Sequence, residues 1–90
     1  MNRIVLIIAF IFLSKIIFSQ YKEDIDSIKS LLKNETVDTL RIDYLNEIAF
    51  KFYRNSPDSG IVYGNKAFKQ AQKLNYLFGL SRSNRVLGLA

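Results

Sequence analysis

The stretch Leu45–Leu74, LNEIAFKFYRNSPDSGIVYGNKAFKQAQKL, decides how this chain folds. Leu45, Ile48, Ala49 and Phe52 recur at helical spacing and share one face of a first helix. Asn55-Ser56-Pro57-Asp58 then supplies a stop and a new start. Ser56 suits an N-cap, Pro57 the first helical position, and Asp58 the positive first turn. Ile61, Gly64, Ala67, Phe68, Ala71 and Leu74 form the apolar side of the second helix. A helix, a short stop and a second helix make an αα-hairpin.

Upstream, Tyr21 to Lys33 predicts a leading helix with Ile25, Ile28, Leu31 and Leu32 on one side and acids Glu23, Asp24 and Asp26 in its first turn. Asn34 suits its C-terminal stop, and Thr36 or Asp38 the cap of the next helix, which runs to about Arg54. Downstream, Asn75 suits the left-handed conformation that ends a helix. A fourth helix starts near Tyr76 or Leu77 and passes through Leu80, Val86 and Leu87, with Gly88-Leu89-Ala90 still inside its pattern. No run alternates with period two, and the single proline sits at a helix start, so the fold class is all-α.

Residues 1–19 carry Arg3, an unbroken apolar run from Ile4 to Leu13, Ser14-Lys15, and a short exit ending at Ser19. That is the build of a secretory signal peptide, with cleavage after Ser19. The alternative is an uncleaved membrane anchor, but Ile4 to Phe18 is 15 residues interrupted by Lys15, against about 20 needed to span a bilayer. The expected organisation is therefore a signal peptide over 1–19, a leading helix over 20–35, a hairpin over 36–75, and a following helix over 76–90. Export to the periplasm or outside the cell follows.

Removing 1–19 takes away Arg3 and Lys15, so the formal charge falls from +5 to +3. The remainder is divided: Glu23, Asp24, Asp26, Glu35, Asp38, Asp43 and Glu47 precede residue 48, whereas Lys51, Arg54, Lys66, Lys69, Lys73, Arg82 and Arg85 follow it. A basic half could suit nucleic acid. Export and the placing of Lys66, Lys69 and Lys73 on one helical face favour a solvated stripe, so no nucleic-acid partner is expected. The absence of cysteine leaves about 70 exported residues to hold by packing alone, which is marginal at that size.

Histidine is absent as well, which removes the commonest general base, the thiol nucleophile and most transition-metal ligands. Ser30-Leu31-Leu32-Lys33 matches a Ser-x-x-Lys pattern but lacks its companion motifs. The acids of the first turn lack calcium-loop spacing. Neither enzymatic activity, a metal nor a cofactor is expected.

The second helix has more apolar surface than one neighbour covers. Asn46, Phe50 and Tyr53 define a second face, roughly a quarter-turn from the first at about 100° per residue. Self-similarity adds to this: Ile48-Ala49 is echoed by Leu87-Gly88 at a separation of 39. Leu45, Ile48-Ala49 and Phe52, then Gly60, Gly64 and Ala67, stand at the large and small positions of a tetratricopeptide pattern. Small residues there let neighbouring helices lie close. Leu45, Ala49, Phe52 and Gly64 depart from the consensus types, and the period exceeds the common 34 by five.

On these residues, together with Ile25-Asp26-Ser27-Ile28-Lys29-Ser30-Leu31-Leu32 and Ser56-Pro57-Asp58-Ser59, the chain resembles the exported tetratricopeptide-repeat region of bacterial sensor proteins, notably those of Bacteroidetes. Asp26-Ser27-Ile28 and Asp38-Thr39-Leu40 look like short acceptors for O-linked sugars in those organisms; they serve equally as cap and surface residues. The resemblance implies an α-solenoid of antiparallel hairpins whose concave side, lined by first helices, takes a protein or peptide. Asp43, Asn46, Phe50, Tyr53 and Arg54 would face it. Further repeats or self-association would complete the array. The alternatives are the N-terminal piece of the periplasmic region of a sensor histidine kinase or transcription regulator, and a small free-standing secreted helical protein.

Overall fold

The structure is a computed structural model that describes residues 2–89, with the side chains of Ser14, residues 16–21, Glu23 and Leu89 outside the description. Among the described residues four helices follow one another: α1 (Asn2–Asn34), α2 (Asp38–Tyr53), α3 (Pro57–Leu74) and α4 (Leu77–Leu89). Among the described residues there is no strand. The fold is all-α.

The helix ends follow the local chemistry, with one substitution of cap. Pro57 opens α3 behind Ser56, whose hydroxyl donates to Ser59 Oγ at 3.0 Å rather than capping a backbone amide. Asn75 closes α3 in the left-handed region at φ 54°, a conformation its short polar side chain tolerates. The expected cap of α2 by Thr36 or Asp38 is not made. Val37 holds the N-cap place without a side-chain bond, and Glu35 Oε1 instead accepts the Thr36 and Val37 amides at 3.0 and 3.1 Å. Arg41 ties the same turn from the other side, donating to the carbonyls of Leu32 and Glu35 at 3.1 and 2.9 Å. These bonds satisfy the carbonyls that a helix end leaves open.

Successive helices pack antiparallel, and α2 is the centre, with α1, α3 and α4 all against it. Its faces meet three neighbours. Ile42, Leu45 and Ala49 meet α3, where Ala67 and Ala71 lie across from them. Ile48 meets Ile25 and Ile28 of α1, with Phe52 and Tyr44 alongside. Asn46 meets Gly79 and Ser83 of α4. The single face expected from Leu45, Ile48, Ala49 and Phe52 is thus two faces, because residues three and four apart diverge enough to touch different neighbours. Ile42, fully buried, belongs to the first of them.

Ala49, Gly60, Gly64 and Ala67, expected at close helix crossings, are all buried. A Cβ on Gly60 would lie 3.2 Å from the Ala49 carbonyl oxygen. On Gly79 it would meet Ile42 Cγ2 and the Tyr76 ring at 2.7 Å, so α2 and α4 reach their spacing only with glycine there. Two expected core leucines are instead outside: Leu31 is 54% exposed and Leu74 45%. The helical faces of α1 and α3 that meet their neighbours leave both residues on the outer side.

A shift of 39 residues carries one half of the packing onto the other. It takes Ile25, Ile28 and Leu32 of α1 onto Gly64, Ala67 and Ala71 of α3, and Ile48 of α2 onto Leu87 of α4. The contact of Ile25 with Ile48 becomes that of Gly64 with Leu87. The start of α2 at Asp38 likewise becomes the start of α4 at Leu77.

α1 is continuous across residues 19 and 20, about 50 Å long at 1.5 Å per residue, and sets the 61 Å long axis of the molecule. Its large apolar residues from Ile4 to Leu13 are 49–71% exposed. Among the described residues no helix is long and apolar enough to cross a membrane. The side chains at the expected cleavage exit, residues 16–19, lie outside the description.

Candidate functional site

α2 and α4 lie side by side and parallel, and the outer surface of their seam gathers the residues singled out from the sequence. The seam floor is polar. Asn46 is fully buried and donates from Nδ2 to the Gly79 carbonyl at 3.1 Å. Ser83 Oγ stands 2.9 Å from Asn46 Oδ1 and 2.8 Å from that carbonyl, so its one proton serves either acceptor. Asn46, expected to face a ligand, therefore spends its amide inside the fold. A buried amide without partners would cost the full desolvation of its polar atoms, and α4 supplies them.

Above that floor, Tyr76 donates its hydroxyl to Asp43, 2.9 and 3.1 Å from the two carboxylate oxygens. Burial first, then the hydrogen bond to Asp43 and its negative charge, push the Tyr76 phenol above its ordinary pKa of 10.0, with Arg82 pulling the other way. The Arg82 guanidinium lies over both Phe50 and Phe78, 5.7 and 5.6 Å from their ring centres. Phe78 in turn tilts against Tyr76 at 6.1 Å. Tyr53 is half-buried beside Gly60, and Arg54 stands exposed at the C-cap of α2. Asp43, Phe50 and Arg54 thus share the accessible rim of α2, and Asn46 does not.

Tyr76, Phe78 and Arg82 complete this rim and were not legible as site residues. Their partners lie 28 to 33 positions upstream, as Phe50–Phe78 linked through Arg82 and Asp43–Tyr76 show. The one available signal was the repeat, which lays α4 along α2. The face offers flat aromatic surface, guanidinium edges and one carboxylate already engaged. Such groups can anchor a partner's side chains. Among the described residues no group of three His, Cys, Asp or Glu is placed to hold a metal ion.

A second aromatic cluster lies on the α1 side of α2. Phe52 stacks on Tyr63 at 5.6 Å, and Lys29 Nζ of α1 sits 5.3 and 5.7 Å from the two ring centres. Lys66 lies 5.3 Å from Tyr63. This cluster ties α1 to the α2–α3 hairpin. Comparisons of the chain with family models, with curated proteins and with solved structures return no match.

Proposed function

We propose that this chain is an exported, non-catalytic repeat module of the tetratricopeptide kind, which binds a protein or peptide segment on the outer face of α2 and α4. The observation that supports it is the 39-residue shift of the packing, which makes α2 and α4 equivalent first helices and places them side by side. On that face Phe50, Phe78 and Arg82 form the anchor, and Asp43, Tyr53 and Arg54 flank it. Aromatic and arginine side chains supply most of the affinity at such surfaces.

The test is capture of partners by the full chain and by a Phe50→Ala, Tyr53→Ala, Arg54→Ala variant with matched circular dichroism. Loss of a specific captured protein supports the reading, and unchanged capture removes this face from it. Export is tested separately by fractionation and N-terminal sequencing. A terminus at Gln20 is the expected result. An intact first segment in the membrane fraction would replace export by anchoring.

A further inference from the structure

The arginines of α2 and α4 and of the turn between α2 and α3 are used in different ways. Arg41 is bonded to two carbonyls, and Arg54 and Arg85 stand exposed. Arg82 is half-buried, yet among the described residues no carbonyl or carboxylate takes a hydrogen bond or an ion pair from it. Its partners are rings, Phe50 of α2 and Phe78 of α4, 5.7 and 5.6 Å from the guanidinium carbon. Those two rings make no ring contact with each other, so the guanidinium is what spans them. Arg82 leans toward α2, over Phe50, and its setting is therefore made by α2 and α4 themselves.

We propose, building on the partner-binding reading of this face, that the bound segment is a peptide that presents an acidic side chain, aspartate or glutamate, to Arg82. A phenyl ring takes up the charge of a guanidinium but leaves its in-plane N–H donors open to water or a ligand. A carboxylate fits those donors with two parallel hydrogen bonds. The contact with two rings fixes the arginine before a partner arrives, so less side-chain freedom is lost on binding than for a free surface arginine.

The charges around Arg82 favour the same partner. Asp43, the acid of this rim, is engaged by the Tyr76 hydroxyl. Glu47, exposed on α2, makes no ion pair with Arg82. α4 carries Arg82 and Arg85 and no acid, and Arg54 adds a third cation at the end of α2. A neutral segment laid over this face would cover the guanidinium without giving it an acceptor, which costs the desolvation of its donors. An acidic side chain supplies that acceptor, so Arg82 both selects for acid and selects against its absence.

The probe is an array of short synthetic peptides of random sequence, with both ends blocked so that side chains hold the only carboxylates. The full-length chain in mild detergent is the binder. Each peptide that binds is remade with Asn for every Asp and Gln for every Glu. Both members of the pair are titrated against the wild type, Arg82→Gln, Arg82→Lys and Arg85→Gln, all with matched circular dichroism. The wild type is expected to prefer the acidic member by about tenfold or more. Arg82→Gln brings that ratio close to unity, and Arg82→Lys keeps only a small part of it, because an ammonium offers no planar fork. Arg85→Gln leaves it near the wild-type value. A wild-type ratio close to unity overturns the proposal, and so does a ratio that survives Arg82→Gln. If the peptides in either case still lose binding to the Phe50→Ala, Tyr53→Ala, Arg54→Ala variant, the partner-binding reading stands without this one. An array with no binder, or with binders indifferent to that triple variant, sinks both.

Discussion

The joints α1–α2 and α3–α4 occupy equivalent places and are built from opposite side chains. In the first, Ile25 and Ile28 meet Ile48, large against large. In the second, Gly64 lies under Val86 and Leu87, and Ala67 and Ala71 fill the next two turns. The difference follows from the number of neighbours. α1 packs mainly on α2, with Lys29 reaching the Tyr63 ring of α3, whereas α3 is held between α2 and α4. A helix with one neighbour can carry bulk on its inner face. A helix between two must let both backbones approach, and each large side chain there would force one of them away. α3 therefore gains less from transfer of apolar area and more from many short contacts.

The comparison predicts where truncation costs most. Ile48→Ala empties the centre of the first joint and is expected to lose about 3–4 kcal/mol, since Ile48 is fully buried among large residues. Urea unfolding of the full chain followed by circular dichroism measures it. A loss below about 1 kcal/mol would mean that α1 is not packed as described.

The reverse change probes α3, the helix held between two. Ala67→Leu adds bulk at a fully buried position between Ile42 and Leu45 and is expected to cost about 2–3 kcal/mol. Ile28→Leu, at the equivalent place in α1, keeps the volume and is expected to cost less than about 1.5 kcal/mol. Equal losses would dissolve the contrast between α1 and α3.

Glycines sharpen it further. At Gly60 a methyl group meets backbone, 3.2 Å from the Ala49 oxygen and 3.5 Å from Tyr53 N and Cα, so the α2–α3 crossing must open. Gly60→Ala should lose about 1 kcal/mol net, its strain partly offset by the better helix propensity of alanine. At Gly64 the nearest atom is the Leu87 Cδ2 tip, also at 3.2 Å, which can rotate aside. Gly64→Ala is expected to be neutral or to gain up to about 0.5 kcal/mol. Thermal midpoints of the two variants moving in the same direction would contradict this.

Much of this fold could be read in advance because its punctuation is local. Ser56-Pro57-Asp58 and Asn75 mark helix ends through their own φ and hydrogen-bonding preferences, and α3 begins and ends, and α4 begins, where those residues predict. Three of the four small positions, Ala49, Gly64 and Ala67, were already legible from helical spacing. Partner choice was not. Helical spacing gives an angle on a wheel and not a partner: Ile42 and Asn46 lie about 40° apart at about 100° per residue, yet one packs on Ala67 and Ala71 of α3 and the other bonds to α4. Asn46 shows the limit most clearly: a polar residue on a mixed face reads as a ligand contact until Ser83 and the Gly79 carbonyl are brought to it. The anchor of Phe50, Phe78 and Arg82 was hidden for the same reason, since only the α2–α4 contact brings it together.

The smallest effect concerns Tyr76, which ties α4 to α2 through Asp43. Tyr76→Phe removes one half-buried hydrogen bond and keeps the ring, so the expected loss near neutral pH is about 1 kcal/mol or less. Its pH dependence is more telling than its size. The folded phenol holds its proton to higher pH than the unfolded one, because burial and Asp43 disfavour the phenolate. Above the ordinary value of 10.0 the native state then binds more protons than the unfolded chain, and stability falls as pH rises. The advantage of the wild type over Tyr76→Phe should stay constant from about pH 7 to 9 and shrink above about pH 10. Only the difference between the two curves carries the signal. A difference that stays flat through pH 11 would break the link between α2 and α4 at its outer edge, while leaving the buried Asn46–Ser83 contact as the seam's remaining polar tie.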